Sequence, residues 1–185
     1  MQDYKDFLEE VLIDEKTLQN RIKELAEEIN RDYAGKDLLL ICILRGGIVF
    51  LVDLMRHITV PLQLDFMAVS SYGAGARQSG GSVRLSLDLK TDIRNKEVVL
   101  VEDIVDSGNT IAYVLEFLQT RQPSSLKVCT LLDKEERRET PVPIHYRGFS
   151  IPNKFVFGYG LDLDEHYRNL PFIAVADQKK YRTPE

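Results

Sequence analysis

Val98 to Thr110 reads VVLVEDIVDSGNT, and the fold can be worked outward from it. Four apolar residues, Val98 to Val101, have the unbroken hydrophobicity of a strand buried on both faces. Two adjacent acids, Glu102 and Asp103, follow, and then a third, Asp106. Ser107-Gly108-Asn109-Thr110 opens an apolar-periodic stretch predicted as a helix to about Thr120. A second buried strand is expected over Leu126 to Leu132, completing a strand–helix–strand unit. Upstream, Leu38 to Leu44 is another continuous apolar run, ended by Arg45-Gly46-Gly47 and followed by a helical stretch from Ile48 to His57. Buried strands alternating with helices predict an α/β fold with a mainly parallel central sheet flanked by helices. In such sheets ligands bind beyond the carboxyl ends of strands, which is where the three acids fall.

The remaining segments are less rhythmic. Leu18, Ile22, Leu25, Ala26, Ile29 and Tyr33 recur at helical spacing, with Asp14 as N-cap, Ile13 and Leu18 as a hydrophobic staple, and Gly35 as the stop. Val60 to Val69 reads as a strand, with Leu62, Leu64, Phe66 and Ala68 on one face. Ser70 to Ser82 reads as a glycine-rich loop, and Val83 to Leu89 alternates as a half-exposed strand. Short strands are expected near Phe155 to Gly158 and Phe172 to Ala176. One domain spans 1–185, with a core from about 37 to 140 and a small hood from about 1–36 and 141–185.

Composition bounds the function. The 185 residues carry 24 Lys and Arg against 29 Asp and Glu, a net charge of −5. Such a surface does not suit general binding to nucleic acid or to anionic membranes, so neither is expected as a partner. The longest apolar run is seven residues, too short to span a bilayer. The first ten residues carry five charges and no apolar core, so no secretory signal is read there. Cys42 and Cys129 sit in apolar runs and read as buried, reduced thiols of a cytoplasmic protein, with a disulfide as the alternative.

The central motif divides into two chemical halves. Ser107 to Thr110 is short, polar and glycine-containing, and it leads into a helix N-terminus, whose N–H groups suit a phosphate. No GxxxxGK[ST] run exists, which excludes the common nucleoside-triphosphate loop. Carboxylates repel phosphate, so the neighbouring acids need neutral hydroxyls or a cation as partners. A ribose 5-phosphate meets both demands, with its diol on the acids and its phosphate on the loop. The competing reading, solvated loop charges and a helix cap, suits any one acid alone better than all three together.

VEDIVDSGNT resembles the phosphoribosyl-pyrophosphate signature of the type I phosphoribosyltransferases, and the chain resembles most closely their hypoxanthine(-guanine) members of purine salvage. The likeness is carried by LRGG at Leu44 to Gly47, SSYG at Ser70 to Gly73, the signature itself, LLDKEERR at Leu131 to Arg138, and KFVFGYGLDLDEHYRNLPFI at Lys154 to Ile173. It implies the type I phosphoribosyltransferase fold. It also implies transfer of the phosphoribosyl group of 5-phosphoribosyl-1-pyrophosphate to N9 of hypoxanthine or guanine.

The resemblance further implies residue roles. Asp106 would be the catalytic acid–base beside purine N7. Glu102 and Asp103 would hold the ribose hydroxyls and the magnesium shell, and Asp162 would be a second magnesium-associated acid near the purine edge. Ser107, Gly108, Asn109 and Thr110 would hold the 5-phosphate. Arg45, Gly46 and Arg168 would hold pyrophosphate, with a cis peptide before the glycine. Lys134 would donate to the 6-oxo group, Phe155 would stack on the base, Val156 would meet its edge, and Ile104 would pack behind it. Ser71 and Tyr72 would form the tip of a mobile lid over Ser70 to Gly81. Relatives of this kind are homodimers or homotetramers. Two alternatives stay open: a non-catalytic regulator of the same fold that binds nucleic acid, and a sister enzyme preferring xanthine.

Overall fold

The computed structural model describes residues 2–72 and 82–182. Its centre is β2 (Leu38–Leu44), six of whose seven residues are buried. Parallel β3 (Leu62–Tyr72) lies on one side of it and parallel β5 (Glu97–Val105) on the other. β6 (Ser125–Asp133) and β7 (Tyr146–Ser150) extend the sheet beyond β5, also parallel. β4 (Ser82–Leu87) closes the opposite edge, antiparallel to β3. The order is β4-β3-β2-β5-β6-β7. The connections leave β2 towards one edge and β5 towards the other, so the switch point lies between those two strands.

Alternation along the strands builds two cores. Leu38, Leu40, Cys42, Val99, Val101, Cys129 and Leu131 face α1 (Glu15–Asp32) and α2 (Ile48–Arg56). Leu39, Ile41, Ile43, Val98, Leu100 and Val128 face α3 (Asn109–Gln119). The Asp14 carboxylate accepts from the Thr17 amide at 2.8 Å, capping α1 as its sequence predicts, and Ile13 and Leu18 are both buried. Both cysteines are free and buried, so the disulfide alternative falls, and burial pushes both thiols up.

A second, three-stranded sheet forms the hood, in the order β1-β9-β8 from β1 (Leu8–Ile13), β8 (Val156–Phe157) and β9 (Ile173–Ala176). Phe7 anchors it, with ring centroids 5.0 to 5.4 Å from Phe157, Tyr167 and Tyr181.

Two expected boundaries move. α1 packs on the large sheet and β7 belongs to it, so the core takes in segments assigned to the hood. The reason is apolar burial: the stripe of α1 joins α2 in one core against the large sheet. The loop expected from Ser70 also begins later. Ser70, Ser71 and Tyr72 continue β3 and pair with Arg84, Val83 and Ser82, so Ser71 and Tyr72 do not form a loop tip. The rest of the expected lid, 73–81, lies outside the described residues. Among the described residues, no helix is long and apolar enough to cross a membrane.

Candidate active site at the carboxyl ends of the sheet

β5 runs further than its apolar residues suggest. Pairing of Ile104 with Leu132 and of Val105 with Asp133 carries the strand through the acid pair. Glu102 and Asp103 are therefore buried strand residues rather than loop charges. Burial, and then the neighbouring Asp103 charge, push the Glu102 carboxyl well above the usual range, and burial also raises Asp103. Among the described residues Glu102 Oε2 has no hydrogen-bond partner, while Asp103 Oδ1 accepts from the Ile104 amide at 2.7 Å. A β-carbon at Gly46 would overlap the Asp103 carboxylate, so the loop after β2 passes this acid as closely as bare backbone allows.

Beyond Val105 the chain forms an anion-sized loop. Gly108 takes φ +87°, a conformation that favours glycine, and a β-carbon there would strike the Thr140 carbonyl. The amides of Glu139 and Thr140 both donate to the Ser107 carbonyl at 2.9 Å, and the Thr140 hydroxyl donates to Asn109 Oδ1 at 2.5 Å. This buttress fixes the loop from behind. Gly108 caps α3 without a side-chain bond, so Asp106 is not the helix cap. A cavity of about 100 Å³ opens between Glu102, Ile104 and Val105 on the strand, Asp106 to Gly108 on the loop, and Thr110 and Ile111 on the helix. Asp106 Oδ1 is 3.3 Å from Arg137 Nε.

Lys134 follows β6 directly. Its amide donates to the Val105 carbonyl at 2.9 Å, tying it to the end of β5. The residue is buried, burial lowers its ammonium, and its side chain has no hydrogen-bond or ion-pair partner among the described residues. Ile104 is partly buried against the α1–α2 core, and Val156 is buried. Phe155 is 39% exposed, so it is a surface ring rather than a core aromatic.

The hood supplies the last group. Between Gly158 and Tyr167 six residues hold positive φ, folding this segment into a tight double turn. A β-carbon at Gly160 would overlap the Gly46 carbonyl, so the turn rests on the β2 loop. Arg168 Nη1 donates to the Gly160 carbonyl at 2.8 Å, and its Nη2 lies 2.9 Å from Asp162 Oδ1. Arg45 Nη2 meets Glu165 Oε1 at 2.5 Å. The cis bond of the loop joins Leu44 to Arg45, one bond earlier than expected.

Among the described residues, no three acids, histidines or cysteines gather into a metal cage. Two buried carboxylates with an unpartnered oxygen still fit a hard cation such as magnesium, which keeps several waters and substrate oxygens. Arg137, Glu165, and the Glu139–Thr140 buttress were not anticipated from the sequence.

Comparison with known proteins agrees with this fold. Residues 12–164 match the phosphoribosyl transferase domain model. The hypoxanthine-guanine phosphoribosyltransferase of Mycobacterium avium is 48% identical over 97% of this chain and 91% of its own. The hypoxanthine phosphoribosyltransferase of Escherichia coli strain K12 is 48% identical over 89% and 93%. A crystal structure of the Staphylococcus aureus hypoxanthine phosphoribosyltransferase superposes with a TM-score of 0.91 at 42% identity, covering 97% of each chain.

Proposed function

This chain belongs to the phosphoribosyl transferase domain family, and from that premise we propose that it is a purine-salvage enzyme. It transfers the phosphoribosyl group of 5-phosphoribosyl-1-pyrophosphate to N9 of hypoxanthine or guanine and releases pyrophosphate. The observation that carries this reading is 48% identity, over nearly the whole chain, to relatives named for that activity.

The site chemistry is compatible with each step. The 5-phosphate sits on the amides and hydroxyls of Ser107 to Thr110 at the start of α3. Glu102 and Asp103 accept from the ribose hydroxyls. Asp106 holds or takes the purine N7 proton as N9 becomes nucleophilic. Lys134, a donor only, pairs with a 6-oxo group and has nothing to offer a 6-amino group as acceptor. The base lies between the exposed Phe155 ring and Ile104, with Val156 backbone at its edge. Arg45 and Arg168 take the departing pyrophosphate, a task suited to a guanidinium fork. Glu102 and Asp103 would hold magnesium, which would supply positive charge to the leaving diphosphate. Most of the rate enhancement is positioning and electrostatics. A dimeric or tetrameric, cytoplasmic enzyme completes the reading.

The test is an assay of hypoxanthine, guanine, xanthine and adenine with phosphoribosyl pyrophosphate and magnesium. Hypoxanthine or guanine yields nucleotide and adenine does not, and Lys134→Gln narrows that gap. Absence of nucleotide with every base would refute the proposal.

A further inference from the structure

The two arginines assigned to pyrophosphate are already bridged by a carboxylate. Glu165 Oε1 lies 2.5 Å from Arg45 Nη2, and the second oxygen of the same group, Oε2, lies 3.1 Å from Arg168 Nη2. One guanidinium comes from the core loop after β2 and the other from the hood, so a single side chain ties these two parts across the site. The Glu165 backbone is set for this. It holds φ +70°, and its amide donates to Asp162 Oδ2 at 2.9 Å. Arg168 is held besides by the Gly160 carbonyl and Asp162. Two cations thus face two carboxylates, Asp162 and Glu165, and the site offers an incoming polyanion no net positive charge. Of the two acids, Glu165 is the one free to leave: its side chain is 56% exposed, against 32% for Asp162. Ion pairs this exposed are weak and readily exchanged.

We propose that Glu165 is an internal stand-in for pyrophosphate. It holds Arg45 and Arg168 ready in the empty enzyme, and a diphosphate group displaces it. Binding is then an exchange of one anion for another, which weakens pyrophosphate and speeds its departure. The inference rests on the reading of Arg45 and Arg168 as the pyrophosphate groups.

Isothermal titration of magnesium pyrophosphate into the full chain tests it, with wild type, Glu165→Gln, Arg168→Gln and the pair Arg45→Gln with Glu165→Gln. Glu165→Gln should tighten binding by about 3- to 10-fold, as expected for freeing two exposed pairs, and slow dissociation in proportion. The gain should shrink when Arg45 is also replaced, since the competitor has lost a partner. If Glu165→Gln binds no tighter than wild type while Arg168→Gln binds more weakly, the stand-in role is wrong and the arginine assignment stands. If Arg168→Gln binds as wild type does, the assignment fails and the inference with it. Thermal melting checks the fold of each variant. Should Glu165→Gln fail to fold, Glu165→Asn, which tolerates the left-handed backbone, carries the same measurement.

Discussion

β5 and β6 are paired neighbours, and both carry buried acids towards their carboxyl ends, but they treat them in opposite ways. Asp133, the last residue of β6, is fully buried and ion-paired with Arg138 and with Arg147 Nε, the latter at 3.0 Å. Glu102 and Asp103 on β5 are equally sequestered and, among the described residues, contact no cation. A buried carboxylate without a partner is costly. The fold can neutralise an acid one strand away, so leaving these two without a cation is what the proposed site chemistry calls for. On the proposed function, charge pairing therefore separates structural acids from those that meet substrate.

Breaking this contrast at its functional side should have the largest effect. Asp106→Asn, at the loop where β5 ends, should lower kcat by about 100- to 10,000-fold with little change in KM, measured by steady-state kinetics. Unaltered turnover would remove the acid–base role. On the structural side, Asp133→Ala leaves Arg138 and Arg147 without their buried partner and should cost about 3–5 kcal/mol of stability in denaturant unfolding. Glu102→Gln is the sharpening control. It removes a carboxyl whose charged form burial disfavours, so stability should hold or rise while activity falls. If Glu102→Gln proves the less stable variant, the distinction collapses.

The smallest effect concerns a third solution. Asp65 on β3 is buried and meets the backbone amides of Phe66, Lys90 and Thr91 at 2.7 to 2.9 Å. Burial pushes its pKa up, but the amides of Thr91 and Phe66 outweigh this and leave it below the usual carboxylate value. Its contribution is therefore present above the unfolded value, about pH 3.9, and is lost as pH falls through the lower folded value. Asp65→Asn should cost about 1–3 kcal/mol near neutrality and flatten that part of the acid-unfolding curve. An unchanged acid profile would show that the amides do not select the ionised form.

Much of the core is written locally. β2 coincides with the apolar run Leu38 to Leu44, and α3 begins within one residue of its expected start, because each is specified by its own periodicity. β1 and β7 escaped because LEEVLI and YRGFS lack a clean alternation, and only their partners make them strands. A β-carbon at Gly148 would strike the backbone of Leu131, so the glycine that obscures β7 is what lets it dock. The site follows the same division. The VEDIVDSGNT acids and loop are contiguous and could be read directly. Arg137 and Glu165 sit in charge-rich runs that look like solvated faces, and their partners lie 31 and 120 residues away.

The hood has a consequence for how the chain is made. β1 pairs with β9, and Ile13 meets Ile173, 160 positions later. Every strand of the large sheet is synthesised in between, so that sheet can assemble while β1 still lacks its mate. Until β9 emerges, β1 offers an unpaired edge, and Phe7 gains the last of its ring neighbours, Tyr181, later still. The nascent polypeptide thus makes this edge early and covers it late, and chaperone binding to stalled chains should include Phe7 to Ile13.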